Sequence, residues 1–192
     1  SPRDLIYVRY SSAIREGGSD IAADGTLESL KGDELATVET GWRRETGGGR
    51  IDIGPYASRG ENLQSDMLLA NGLIESENAG NARILGAEAT IEQRLAPGWR
   101  IEAGVNLTSA VLVRNRLGMK LDGRRLSVVP RHVARLALEH EFASGPAEFL
   151  LRASLRHVGA QRLSFDPALD RPMGSYFESR IEAQAMLEGF RV

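Results

Sequence analysis

The stretch that decides the fold is residues 99–113, which read WRIEAGVNLTSAVLV. The odd-numbered positions are almost all apolar, whereas the even-numbered positions include Arg100, Glu102 and Asn106. Alternation with period two over this length predicts an extended β-strand with one apolar and one largely polar face. A helix would place both charges within its apolar stripe. The strand also exceeds the usual soluble strand of about 5–6 residues.

The same period recurs along the chain and predicts about eight strands in all. A weaker run covers residues 50–58, and clearer ones lie near residues 6–11, 38–43, 87–92, 134–139, 149–156 and 177–185. We predict no helix between them, and no segment has the roughly 20 apolar residues that a membrane-spanning helix needs. The predicted fold class is therefore all-β, antiparallel and up-and-down.

The connections between the predicted strands alternate in length. Residues typical of tight turns occupy 46–49, 96–98 and 143–146, whereas long polar links occupy 17–34, 61–77, 114–128 and 166–175. Short links at one end and long links at the other are typical of a transmembrane β-barrel in the outer membrane, with periplasmic turns and extracellular loops.

Aromatic side chains lie near both ends of the predicted strands. Those near the tight turns are Trp42, Trp99, Phe142 and Phe149, and those near the long links are Phe165, Tyr176 and Phe177. Two belts at opposite strand ends fit the aromatic girdles at the two membrane interfaces. Aromatic residues that cap a soluble core are the alternative, since they favour strands in any case.

Ten charged side chains fall on the polar faces of the predicted strands. They are Glu39, Arg43, Glu88, Glu92, Arg100, Glu102, Arg135, Glu139, Arg152 and Arg156. Because ionised groups cannot lie in a dry core, we expect them to line a hydrated lumen or to face a plug. A sheet with one solvated face is the alternative.

The link at 114–128 is strongly basic. It holds Arg114, Arg116, Lys120, Arg124 and Arg125, with Asp122 as the opposing charge. As an extracellular loop it would attract an anionic ligand such as a ferric chelate. Contact with lipopolysaccharide phosphates, or simple solvation, are the alternatives.

Several functional classes lack support in the sequence. The composition is 42% hydrophobic and 26% charged with a net charge of −2, which argues against a disordered tail or a nucleic-acid-binding arm. There is no cysteine, and His132, His140 and His157 lack the spacing of a metal site. No nucleophile motif is present. We therefore expect no catalytic residue, no metal, no cofactor and no enzyme activity.

Four motifs resemble the barrel of TonB-dependent receptors. Residues 39–43 read Glu-Thr-Gly-Trp-Arg after a polar lead-in, and residues 78–88 resemble an Asn-x-Gly…Gly-x-Glu strand. Residues 129–132 are similar to a Pro-x-His strand entry, and residues 7–10 read Tyr-Val-Arg-Tyr. Their order and spacing together carry the resemblance, which covers most of the chain.

The resemblance implies a 22-strand barrel in the bacterial outer membrane, closed by an N-terminal plug. Such receptors import ferric siderophores or other scarce nutrients with energy from the TonB complex, which acts through the plug. The implied partners are outer-membrane lipid, lipopolysaccharide and a small ligand, with no nucleic acid. We expect residues 1–192 to be a single barrel segment that lacks the plug domain and the last strands.

Two other readings remain open at this point. A complete outer-membrane barrel of about eight strands would act as an anchor or adhesin, and eight strands suffice for a small barrel. A soluble barrel of lipocalin type would need its apolar residues inside and its polar residues outside. The direction in which the apolar face of residues 99–113 points distinguishes these readings.

Overall fold

The computed structural model describes residues 3–21, 25–68, 74–115, 123–164, 170–187 and 190–191. Every regular element within these residues is a β-strand. The strands are β1 (Arg3–Arg15), β2 (Gly18–Ile21), β3 (Leu27–Leu30), β4 (Asp33–Thr46), β5 (Gly49–Leu68), β6 (Ile74–Ala96), β7 (Trp99–Asn115), β8 (His132–Ser144), β9 (Ala147–Val158), β10 (Gln161–Arg162), β11 (Pro172–Met173), β12 (Tyr176–Leu187) and β13 (Phe190–Arg191).

Nine of these strands form one antiparallel sheet in the order β1-β4-β5-β6-β7-β8-β9-β12-β13. Apart from the small hairpins β2–β3 and β10–β11, each strand pairs with the next one along the chain. Eight of the nine contain twelve residues or more, which confirms the prediction of about eight long antiparallel strands. Within the described residues, β1 and β13 lie at opposite edges of the sheet and do not pair with each other. In a closed small barrel the first and last strands would pair, so this sheet is open.

The predicted tight turns are confirmed at three positions. The strand pairs close at Thr46 with Gly49, at Ala96 with Trp99 and at Ser144 with Ala147, so each turn contains two residues. All three lie at the same end of the sheet, because they are every second connection of an antiparallel meander and join β4 to β5, β6 to β7 and β8 to β9.

The predicted long links are partly strand, which differs from their reading as polar loops. Strand β5 continues to Leu68 and β6 begins at Ile74, so most of the link at 61–77 is a hairpin that extends beyond the main sheet. Hairpin β2–β3 lies within the link at 17–34. These strands were not predicted because their polar composition lacks an apolar face, and a strand outside a bilayer does not need one.

The sheet has one polar and one apolar face, which the strand register defines. Direct partners point to the same side, so one row across seven strands reads Arg43, Asp52, Thr90, Gly104, Arg135, Arg156 and Glu178. The adjacent row reads Trp42, Ile53, Ala89, Val105, Ala134, His157 and Phe177. We call these sides the polar face and the apolar face.

The apolar face is exposed, although it carries the largest aliphatic side chains. Ile181 is 85% exposed and Ile6 is 78% exposed, while the buried apolar residues among those described are mostly alanine. Leu112 is the largest side chain that is fully buried. A continuous exposed apolar face is expected where lipid replaces water, and it is the reverse of a lipocalin-like barrel, which buries its apolar residues inside.

Aromatic rings follow both ends of the strands on the apolar face. Near the tight turns, Trp99 stacks on His140 at 4.0 Å between ring centroids, and Phe142 stacks on Phe149 at 5.2 Å. At the other end, His157 lies between His132 and Phe177, with centroid distances of 5.0 and 4.5 Å. Predicted Phe165 lies outside the described residues. Predicted Tyr176 directly precedes Phe177 on β12, so the alternation of side chains places it on the polar face instead of in the belt. The rings fit the two interfacial girdles of a membrane barrel.

Candidate functional site

The charged residues predicted for the lumen all lie on the polar face of the sheet. The register aligns them in neighbouring rows on β4, β6, β7, β8 and β9: Glu39, Arg43, Glu88, Glu92, Arg100, Glu102, Arg135, Glu139, Arg152 and Arg156. The sequence pattern therefore located this face, and the pairs among its members come from the register.

The centre of the polar face is an ion-pair network around Glu139 on β8. Its carboxylate accepts hydrogen bonds from Arg100 on β7 and from Arg152 on β9, the latter at 2.9 Å. Arg152 also donates to Glu102 at 2.5 Å. The Glu139 side chain is only 8% exposed, so its two guanidinium partners are needed to offset the cost of burying its charge.

A second network lies across the β4–β5 hairpin. Arg43 donates to Asp52 at 2.9 Å, and Arg50 lies 3.1 Å from Asp52 and 3.4 Å from Glu92. Neither Asp52 nor Arg50 was predicted as a lumen residue, because the run at 50–58 alternates weakly. The sequence did contain the information needed to predict this pair. Arg43 lies three residues before Thr46 and Asp52 lies three residues after Gly49, so a hairpin that closes at this turn must place them opposite each other.

Two tyrosines cross the polar face over glycines. Tyr7 lies over its register partner Gly41, and Tyr56 lies over its register partner Gly86. A Cβ atom on either glycine would collide with the phenol ring. Because glycine has no side chain, the tyrosine ring can lie over the partner strand. This packing favours one register between the two strands. These pairs were not predicted from the sequence.

The other arginines of the polar face differ in whether a carboxylate pairs with them. Arg156 donates to Glu178 on β12 at 2.6 Å, and Arg9 on β1 donates to Glu39 at 2.6 Å. Arg135 extends over Gly104, where a Cβ atom would lie 2.8 Å from its Nε atom. Among the described residues, no carboxylate is paired with Arg135. Its charge is therefore available to whatever adjoins this face.

The predicted basic loop is only partly described, and its described residues are partly engaged. Arg116 and Lys120 lie outside the described residues. Arg124 lies 3.9 Å from Asp170, a carboxylate whose side chain is 5% exposed. Arg125 donates to the carbonyl of Val129 at 3.4 Å.

Asp170 connects two separate loops and was not predicted. Besides Arg124, its Oδ2 atom accepts a hydrogen bond from Arg162 at 2.5 Å, while its Oδ1 atom is buried without a hydrogen-bond partner. The backbone amide of Val128 also donates to the carbonyl of Arg162 at 2.8 Å. The loop after β7 is thereby fastened to hairpin β10–β11.

Two other arginines of this loop, Arg114 and Arg125, form no ion pair with a carboxylate of the described residues. Burial lowers the pKa of Arg125 below its usual value, and the nearby charge of Arg131 lowers it further. An arginine still keeps its charge at neutral pH after such a shift. The loop therefore stays cationic, although Asp170 offsets part of its charge.

The described histidines do not form a metal site. His132 and His157 lie 3.3 Å apart between Nε2 and Nδ1, and His140 stacks on Trp99. Within the described part of the chain, no group of three or more His, Asp or Glu side chains is placed to hold a metal ion. Within that same part, no helix is long and apolar enough to cross a bilayer.

Comparisons with known proteins give one consistent result. The family described as TonB dependent receptor-like, beta-barrel, matches residues 2–181. The probable TonB-dependent receptor BfrD of Bordetella pertussis is 25% identical over 136 residues, which cover 68% of this chain and 18% of that protein.

Two solved structures share the fold. The ferric yersiniabactin uptake receptor FyuA from Yersinia pestis matches with a TM-score of 0.74 and 19% identity, over 97% of this chain and 28% of that one. BauA, the ferric preacinetobactin receptor from Acinetobacter baumannii, matches with a TM-score of 0.70 and 17% identity, over 96% of this chain and 27% of that one.

The chain thus spans less than a third of the length of these relatives, and the family match covers nearly all of it. Its tight turns, polar face and exposed apolar face agree with an outer-membrane barrel wall. The chain belongs to the TonB-dependent receptors and forms part of their outer-membrane β-barrel.

Proposed function

We propose that this chain supplies part of the barrel wall, lumen and extracellular loops of an active-transport receptor that takes up a ferric siderophore or another scarce nutrient. The observation that supports it most is the polar face, where charged side chains cover strands whose other face is apolar and exposed. A face of this kind needs water or a polar plug against it, since ionised groups are not stable in a dry interior.

The polar face forms the inner surface of the barrel in this proposal. Its charges occur in compensated pairs, such as Arg152 with Glu102, which keeps a hydrated channel wall ordered without a large net charge. Uncompensated Arg135 would contact the plug or the ligand. Energy would reach the barrel from the TonB complex through the plug domain that the family carries. We propose no catalytic role for any residue.

The basic loop is the proposed first contact for an anionic ligand. The proposed residues are Arg114, Arg116, Lys120, Arg124 and Arg125. Because Arg124 is linked to Asp170, its role includes holding the loop in place. Arg114 is the cleaner probe, since it has no carboxylate partner among the described residues and its substitution breaks no described ion pair.

Uptake in cells tests this function. A deletion strain complemented with the wild-type gene is grown under nutrient limitation. Uptake of a panel of iron-loaded anionic and neutral chelates, copper complexes and cobalamin is measured with and without TonB. TonB-dependent uptake of one chelate is expected. Absence of uptake for every scarce nutrient in the panel, including copper and cobalamin complexes, would contradict the proposal.

Charge reversal then tests the loop. Arg114→Glu, and separately Arg124→Glu with Arg125→Glu, should weaken uptake of an anionic chelate by about tenfold. The matched control is Arg44→Glu, which reverses an arginine on the apolar face at the tight-turn end, away from both the loop and the polar face. Equal uptake by all variants would remove the loop from the proposal.

A further inference from the structure

Two arginines face each other on the apolar face of the sheet. Arg59 on β5 and Arg83 on β6 are direct register partners, and both are exposed. Like charges directly opposite each other destabilise a sheet. Glu61 lies 2.8 Å from Arg59, but no carboxylate of the described residues is paired with Arg83. The pair therefore retains an excess positive charge.

The height of this pair follows from the tight turns. Arg59 lies ten residues beyond Gly49, and Arg83 lies ten residues before Gln93, the register partner of Gly49. At about 3.3 Å per residue and a strand tilt near 40°, ten residues rise roughly 25 Å along the membrane normal. That distance equals the height of the apolar band of an outer-membrane barrel, about 25 Å.

The aromatic belt at the long-link end lies at the same height. His157 is ten residues beyond the turn residue Ala147, and His132 is twelve residues before Ser144. On β5 and β6, the apolar face is uncharged from the tight turns up to Ala57 and Leu85. Arg59 and Arg83 are therefore the first charges above the apolar band, at the boundary with the outer leaflet headgroups.

A third arginine continues the same row. Val111 pairs with Arg83 on one side and forms a backbone bridge with Arg125 on the other. The three arginines thus span three strand spacings of about 4.8 Å each, or roughly 14 Å across the outer border. A row of this length matches a headgroup that carries more than one phosphate.

We propose that Arg59 and Arg83 bind a phosphate group of lipopolysaccharide at the outer-leaflet border, with Arg125 as a flanking charge. A phosphate between two guanidinium groups accepts paired N–H donors from each and removes their mutual repulsion. Arg59 and Arg83 face lipid, away from the polar face, so these two residues do not line the proposed lumen. Arg125 also belongs to the proposed basic loop, so the test changes only Arg59 and Arg83. The inference rests on the function proposed above and assigns named residues to the contact with lipopolysaccharide.

The test uses the protein extracted from its native outer membrane with a mild detergent. Lipopolysaccharide retained per protein molecule is measured by mass spectrometry for the wild type, for Arg59→Ala with Arg83→Ala, and for Arg59→Lys with Arg83→Lys. The matched control is Arg44→Ala, which changes another apolar-face arginine at the tight-turn end, where no lipopolysaccharide occurs. Thermal unfolding of the wild type is followed with added lipopolysaccharide, dephosphorylated lipopolysaccharide, or inorganic phosphate.

The alanine pair should retain about tenfold less lipopolysaccharide, with an intermediate value for the lysine pair, which keeps charge but loses paired donors. Arg44→Ala should match the wild type. Stabilisation should come from the phosphorylated lipid and not from the dephosphorylated one. Equal retention by the alanine pair would overturn the inference, and so would equal stabilisation by dephosphorylated lipid or by inorganic phosphate. The measurements with dephosphorylated lipid and with inorganic phosphate use the wild-type protein, so they test the inference even if the alanine pair does not fold.

Uptake by the same strains separates this inference from the proposed function. Normal TonB-dependent uptake with equal lipopolysaccharide on all variants would overturn the lipid site alone. Absence of the wild-type protein from the outer-membrane fraction would overturn both.

Discussion

The ring of Tyr56 on β5 lies directly over Gly86, its register partner on β6. The phenol oxygen passes beyond β6 and lies 2.9 Å from the hydroxyl of Thr108 on β7. A glycine at this register position therefore lets one side chain connect three strands. Tyr7 over Gly41 repeats the arrangement between β1 and β4, where the hydroxyl donates to Glu39 at 3.2 Å.

Substitution of Gly86 by alanine should destabilise the barrel by about 1–3 kcal/mol, because the added methyl group overlaps the Tyr56 ring and the backbone of β7. Urea unfolding in detergent micelles, followed by the mobility shift of the folded barrel on electrophoresis, measures the effect. The control is Gly47→Ala, where an added Cβ atom meets nothing within 4 Å. A smaller loss from Gly86→Ala in a Tyr56→Ala background would assign the clash to the ring, and equal losses in both backgrounds would contradict that role.

Glu139→Gln should cost about 1–3 kcal/mol of unfolding free energy, since Arg100 and Arg152 both lose a shared buried carboxylate. The comparison is Glu178→Gln, which breaks the exposed pair with Arg156 and should cost less than Glu139→Gln, because water screens an exposed pair. Urea unfolding of both variants in the same micelles gives the difference. Equal costs would mean that water screens the Glu139 network as fully as an exposed pair.

Asp170→Asn should loosen the two loops that it joins without weakening the sheet. The amide keeps the shape but loses the charge-assisted hydrogen bond with Arg162, so the open population should rise about tenfold. Trypsin treatment of intact cells, with the rate of cleavage near Arg124 and Arg171 as readout, measures this opening. Glu178→Gln serves as a control for a broken ion pair within the sheet. An unchanged cleavage rate for Asp170→Asn would show that the backbone bonds between the loops suffice.

Brominated lipids should quench the fluorescence of both tryptophans, because Trp42 and Trp99 lie on the apolar face near the tight-turn end. The strongest quenching is expected from bromine near the lipid carbonyl, at the depth of an interfacial girdle. Single-tryptophan variants, Trp42→Phe and Trp99→Phe, separate the two signals. Strong quenching by aqueous iodide and none by brominated lipid would mean that this face does not meet the membrane.

The sequence predicted the faces of the sheet well because their physical cause is local. Side chains alternate along any strand, so Glu102 and Glu139 could be assigned to the polar side from their own segments alone. The strand count followed for the same reason, and the tight turns were marked by their glycine and proline residues.

The partners were harder to predict because they depend on register between strands. Asp52 pairs with Arg43 only through the exact closure of the turn at 46–49, and Asp170 meets Arg124 through two loops that are far apart in sequence. The period-two pattern is also lost over residues 61–77, where polar residues occupy both alternating sets of positions. The outer half of the β5–β6 hairpin was therefore read as a loop.

The order of the strands has a consequence for how such a wall grows and changes. In the main sheet the backbone of each long strand pairs only with the long strands directly before and after it in the chain, and each short turn joins two such neighbours at one end. A two-strand unit can therefore be duplicated or lost by a single genetic event, with every remaining pairing intact. Barrels of different circumference are thus reachable from one ancestor in even-numbered steps.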